Sequence, residues 1–214
     1  MSFLFKFLYT QLVTTLPVPK TSFSGQTVIV TGSNVGLGLE AARHFTRLSA
    51  AKVILAVRSV EKGEAAKKSI EESTQRTGVV EVWQLDLSSY ESVKQFAKKV
   101  EGLSRLDAIV ENAGIATRTY RVFEDNESTI TTNVVSTFLL ALMLLPKLRE
   151  TATKFNVTPH LVIVSSEVHF FTTFPEKSST DIFKTLNDKE TAKMVDRYLS
   201  PIFPSKPLLL DTLG

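Results

Sequence analysis

From residue 26 onward, short continuous runs of β-branched residues alternate with longer stretches in which apolar positions recur every three or four residues. Gln26–Thr31 (QTVIVT) predicts a strand covered on both faces. Val35–Leu48 follows with helical character. Lys52–Val57 (KVILAV) reads as the second strand, and Glu61–Gln75, rich in Lys, Glu and Ala, as an exposed helix. Val79–Leu85 is the third strand. Ser88-x-x-Glu91 predicts a capping box, opening a helix that sets Val93, Phe96, Val100 and Leu103 on one face. Leu106–Glu111 is the fourth strand. Asp125–Arg149 reads as a long helix around the run Val134–Leu145, which only Ser136 and Thr137 interrupt. That run falls short of a membrane span, so a buried helix bent at Pro146 is expected. His160–Ser165 (HLVIVS) is the fifth strand. Strands alternating with helices at this spacing imply βαβ crossovers, and hence an α/β, doubly wound parallel sheet.

Composition narrows the picture. A chain of 214 residues with 43% hydrophobic content can bury one sizeable core. It divides into an apolar extension, residues 1–24, and one domain, residues 25–214. The net charge of +3 is mild and dispersed, which argues against nucleic acid. There is no cysteine, so disulfides, thiol nucleophiles and thiolate metal sites are excluded. A reducing compartment, the cytoplasm, fits that absence. Residues 1–16 are apolar but broken by Lys6 and Gln11. They read as a helix packed on the domain or at a contact between copies in a homo-oligomer, or alternatively as a shallow anchor on a membrane surface. His44 and His169 have no metal-ligand spacing with carboxylates, so no metal is expected. Trp83 reads as core packing.

The chemistry begins between the first strand and the first helix, at Thr31-Gly-Ser-Asn-Val-Gly-Leu-Gly38. Glycines at 32, 36 and 38 allow a tight turn and let backbone amides approach a pyrophosphate resting on the positive end of the helix. Gly32, Ser33, Asn34, Gly36, Leu37 and Gly38 are therefore candidate cofactor-binding residues. Twenty residues on, where a carboxylate would bind a ribose 2′-hydroxyl, stands Val57-Arg58-Ser59. Arg58 can pair with a 2′-phosphate through its fork of donors, which favours NADP(H) over NAD.

Thr-Gly-x-x-x-Gly-x-Gly in this setting resembles the short-chain dehydrogenase/reductase family, with its Rossmann-type fold, from about Gly25 to Tyr198. Asp86-Leu87 after the third strand is similar to the family's adenine-contacting pair. Asn112-Ala113-Gly114 is similar to its Asn-Asn-Ala-Gly, with Glu111 in place of the first Asn. Asn133 lies where the family keeps an active-site asparagine, and Val164-Ser165-Ser166 ends the fifth strand as its serine motif does. The stretches GQTVIVTGSNVGLGLEAARHF and VIVSSEVHF are most similar to fungal reductases of secondary metabolism. The resemblance implies a carbonyl or alcohol on a small apolar, polyketide-like or other secondary metabolite as substrate. Tyr198 would be the proton-exchanging acid/base, which also sits against the cofactor. Ser166 would hydrogen-bond the substrate oxygen, with Ser165 as the alternative, and Asn133 would hold a water in the proton relay.

One spacing departs from the family. A phenol with a pKa near 10 needs a nearby cation to act as a base at neutral pH, and the family's lysine stands four residues after the tyrosine. Here that position is Ile202, and the next lysine is Lys206, beyond Pro201 and Pro204. Removing four residues between Tyr198 and Ser205 would restore Tyr-x-x-Ser-Lys, so an insertion or a disturbed 3′ end is expected. The sheet is also expected to be incomplete on its C-terminal side, leaving the fifth strand as an exposed edge. The alternative function is then a catalytically inactive remnant that binds nucleotide or a partner.

Overall fold

The computed structural model describes Tyr9, Leu12, Val13 and residues 17–165, 174–192 and 194. Five parallel strands form the central sheet: β1 (Thr27–Thr31), β2 (Lys52–Val57), β3 (Val80–Gln84), β4 (Ala108–Glu111) and β5 (His160–Ile163), in the order β3-β2-β1-β4-β5. The order reverses between β1 and β4, which opens a crevice at the carboxyl ends of the strands. β1 and β2 are buried almost throughout, as their unbroken apolar runs require.

Helices α1 (Gly36–Arg47), α2 (Val60–Thr74), α3 (Tyr90–Glu101) and α4 (Ser128–Phe155) supply the crossovers. One apolar cluster joins Ile29, Ile54 and Ile109 to Phe96 and Val100 of α3 and to Leu140, Leu144 and Leu148 of α4. On the opposite face Val28, Val53 and Leu55 pack with Ala42 of α1 and with Ala66 and Ile70 of α2. Trp83 is buried, meets Phe96 edge-on and donates from its indole to Glu81 at 2.9 Å.

Three expectations change. The cap of α3 is Ser89, not Ser88. Ser88 turns its amide and hydroxyl onto Asp86 Oδ1 (2.9 and 2.7 Å), which leaves Ser89 extended and accepting from the Ser92 amide. Glu91 closes no box and instead accepts from Gln95. The long helix begins at Ser128 rather than Asp125, because residues 122–127 form a hairpin (Val122–Phe123 with Asn126–Glu127) whose last carboxylate caps the helix by accepting from the Thr129 amide. The helix then runs through Pro146 to Phe155, 28 residues in all. By length and apolarity it could cross a membrane, so its shortness is no argument against one. Its place is in the β4–α4–β5 crossover, with the leucine row Leu140, Leu144 and Leu148 in the core.

A π-turn at Thr131–Ser136 is built into α4. Beyond β5, a short helix α5 (Ile182–Leu186) returns to the hairpin through Asn187, whose side chain accepts from the Glu127 amide (2.8 Å) and donates to Asn126 (2.6 Å). Tyr9, Leu12 and Val13, the described part of residues 1–16, are exposed.

Candidate nucleotide-binding site

The loop from β1 to α1 is held by its neighbour after β4. Thr31 Oγ1 accepts from the amides of Asn112 (3.0 Å) and Ala113 (2.9 Å), while Asn112 Nδ2 donates to Thr31 O (3.1 Å). The two loops approach so closely that side chains are excluded. A Cβ on Gly38 would lie 2.5 Å from Asn112 Nδ2 and 2.7 Å from the Gly32 carbonyl oxygen. Gly32 turns at φ +65°, with Ala113 Cα 2.9 Å from where its Cβ would stand.

The start of α1 is left open for an anion. Ser59 and Ser89 cap α2 and α3 with side-chain oxygens, whereas Val35 before α1 makes no side-chain cap. The first amides of a twelve-residue helix thus remain available beside the glycine turn, at the positive end of its dipole.

The crevice is lined by Gly32 and Asn34 from the β1 loop, by Val57, Arg58, Ser59 and Lys62 from β2 and α2, and by Leu85, Asp86 and Leu87 after β3. Ala56 of β2, Ala113, Gly114 and Ile115 after β4 and Thr132 of the π-turn complete it. Seven sequence-read cofactor candidates therefore meet in one cleft: Gly32, Asn34, Arg58, Asp86, Leu87, Ala113 and Gly114. Arg58 is exposed, so its guanidinium is open to a ligand. Gly36 and Gly38 shape the turn. Ser33 is fully buried and donates to Val30 O at 2.7 Å, so its hydroxyl serves the loop rather than the cleft. Asn112 is a clamp between loops, and Leu37 is 79% exposed and outside the cleft wall.

Asn133 sits in the π-turn with both ends of its amide engaged. Oδ1 accepts from the Ile115 amide and Nδ2 donates to the Ile115 carbonyl, each at 2.8 Å. Its side chain fixes the loop after β4, and Oδ1 and Nδ2 each keep one further hydrogen-bonding position. Ser165 is exposed at the end of β5. Ser166, Tyr198, Ile202 and Lys206 lie outside the described residues. Among the described residues no group of acidic and histidine side chains could hold a metal.

Sequence reading missed Lys62, in the first turn of α2, which lines the cleft together with Arg58. The sequence offered a second cation four residues after Arg58, but Arg58 precedes the helix, so no helical face in the sequence joins the two. It also missed Ser59, which both caps α2 and lines the cleft.

Comparison with known proteins gives matches to one family. Residues 26–172 match the family described as short chain dehydrogenase. The chain is 53% identical over 212 residues to the short chain dehydrogenase/reductase dmxR8 of Cryptosporiopsis sp., covering 97% of this chain and 64% of that protein. It is 51% identical over 199 residues to the short chain dehydrogenase atnD of Emericella nidulans, covering 92% and 63%. The chain thus spans less than two thirds of the length of these relatives. A short chain dehydrogenase from Shigella flexneri complexed with NADP superposes with a TM-score of 0.58 at 28% identity, over 77% of this chain and 66% of that one. A second, from Escherichia coli complexed with NADPH, gives 0.58 at 27% identity, over 77% and 65%. With the crevice, the glycine turn and these matches in agreement, the chain belongs to the short-chain dehydrogenase/reductase family.

Proposed function

We propose that this chain binds NADP(H) in the crevice and is the cofactor-binding part of an oxidoreductase that interconverts a carbonyl and an alcohol on a small apolar secondary metabolite. The observation that carries the cofactor reading is that Arg58, which follows β2 where no carboxylate stands, and Lys62, in the first turn of α2, both line the cleft. Two cations there attract a 2′-phosphate, and a fork of guanidinium donors fits its oxygens. The open start of α1 suits the pyrophosphate, and Asp86 and Leu87 suit the adenine end.

The bound nicotinamide would supply or accept the hydride. The chain's own part is to hold the dinucleotide, to set the loop after β4 through Asn133, and to place Ser166 and Tyr198 at the reacting oxygen. Tyr198 exchanges the proton in this reading, and Lys206 supplies the cation in place of the residue at Ile202.

Titration with NADPH and NADH tests the first half. The native chain should prefer NADPH. The double change Arg58→Ala with Lys62→Ala should weaken NADPH binding by about 10- to 100-fold and leave NADH unchanged, the loss of charge-assisted contacts worth ~1.5–3 kcal/mol. Equal affinity for both nucleotides would overturn the NADP reading, and binding of neither would overturn the function. For the second half, Tyr198→Phe should abolish turnover and keep NADPH binding; retention of full rate would remove Tyr198 from the mechanism.

A further inference from the structure

Five buried side-chain polar atoms among the described residues have no hydrogen-bond partner: His44 Nε2, both carboxyl oxygens of Glu111, Thr132 Oγ1 and Ser136 Oγ. The other four belong to Glu111, at the end of β4, and to Thr132 and Ser136, in the π-turn of α4. Leaving such groups unpaired costs about 1–3 kcal/mol each, so these four call for a reason.

Their placement follows from direction and period. α4 runs antiparallel to β4, because the Leu106 amide donates to Thr151 Oγ1 at one end and the Ile115 amide donates to Asn133 Oδ1 at the other, both at 2.8 Å. On β4, Glu111 stands two residues beyond Ile109 and so faces the same side of the sheet. Ile109 packs in the cluster that holds Leu140, Leu144 and Leu148. Those leucines lie four residues apart on α4, and the same row continues to Ser136 and Thr132. Both rows run toward the same end of the sheet. Glu111 is 3% exposed, Ser136 0% and Thr132 6%, and Thr132 also forms part of the cleft wall.

We propose that Glu111, Thr132 and Ser136 form one buried hydrogen-bonding site, completed by an internal water, that fixes the π-turn under the cleft and couples its shape to the cleft's occupant. A water needs two to four polar partners in a confined space, and a carboxyl with two hydroxyls supplies them. The carboxyl must be neutral to take part as both donor and acceptor. That side of the sheet is apolar: Ile109, two residues before Glu111, packs in one cluster with Val93 and Phe96 of α3 and with Leu140 and Leu144 of α4. Desolvation by burial raises the Glu111 pKa well above the ordinary carboxylate range. Glu111 touches no reacting atom in this reading and is a positioning residue. The coupling rests on the cleft being the nucleotide site; the buried site itself does not.

Infrared spectroscopy of the full chain separates the two. The native protein at neutral pH should show the carbonyl stretch of a protonated carboxylic acid, and Glu111→Gln should remove it. Ser136→Ala and Thr132→Val, each nearly isosteric, should both shift that band, because each removes a hydroxyl from the network around it. Addition of NADPH should shift it again in the native protein, with binding followed independently by fluorescence. No protonated-acid band at neutral pH, or a band that neither hydroxyl variant moves, would overturn the site. A band that moves in the variants but stays fixed when NADPH is demonstrably bound would overturn the coupling. Failure of NADPH to bind at all would strike the nucleotide reading, while the variant shifts would still decide the site.

Discussion

Two glycines of the same turn make opposite demands, and a pair of substitutions should separate them. Gly38 has no room: a Cβ there meets Asn112 Nδ2 and the Gly32 carbonyl, and the latter is backbone that cannot swing aside. Gly38→Ala should cost about 1–3 kcal/mol of stability and disturb nucleotide binding, since relief means separating the two loops that form the cleft floor. Gly36 has space around it but a φ of +60°. Gly36→Ala should therefore cost about 1 kcal/mol through conformation alone. Thermal melts with and without NADPH test both, and a melting point unchanged by Gly38→Ala would disprove the close approach. Glu111 makes a prediction of a different kind. Desolvation by burial raises its pKa in the folded chain, so above pH 4.5 the unfolded chain loses the proton while the folded one keeps it. Folding stability is full below that pH and is lost as pH rises toward the folded value. Native protein should thus lose stability relative to Glu111→Gln between mild acid and neutral pH. A difference that stays constant with pH would mean that Glu111 is ionised in the fold.

At the scale of elements, the strands were legible because their signal is local. Lys52–Val57 runs over the residues its β-branched sequence marks, and β1, β3, β4 and β5 differ from expectation only at their ends. The helices α1 and α2 were read within a residue or two for the same reason. What stayed hidden depends on contacts between distant residues. Nothing in Thr131–Ser136 marks a π-turn; it forms where Asn133 reaches across to the Ile115 backbone 18 residues away. The clamp of Asn112 on Thr31 joins residues 81 apart. Asn133 was thus found by its place in a pattern, but its contacts were not. Asn133→Ala removes two hydrogen bonds and leaves a partly buried amide and carbonyl at Ile115 without partners. It should cost about 2–4 kcal/mol. Asn133→Asp keeps the acceptor for the Ile115 amide and sets a carboxylate against the carbonyl, so it should rescue little. Denaturant melts of the two variants check this, and full stability in Asn133→Ala would show that the π-turn holds by itself.

Across the whole molecule, the two edges of the sheet are unlike. β3 carries charge on its outer part: Glu81 pairs with Lys52 at 2.6 Å, and Lys99 lies 4.0 Å over the Trp83 ring. Such residues discourage strand-to-strand pairing between copies. β5 has β4 as its sheet neighbour among the described residues, and beyond His160 its sequence is wholly apolar. Val162 is 47% exposed, and Val164 just after the strand is 44% exposed. An apolar edge of this sort is a template for another strand, whether from the same chain or from a second copy. Val162→Lys puts a charge on that edge without entering the core, so the melting free energy should move by no more than about 0.5 kcal/mol. Self-association of the purified chain, followed by light scattering against concentration, should fall. Unchanged association with unchanged stability would mean that this edge is already covered, and the search for contacts between copies would then move to the exposed apolar residues Tyr9, Leu12 and Val13.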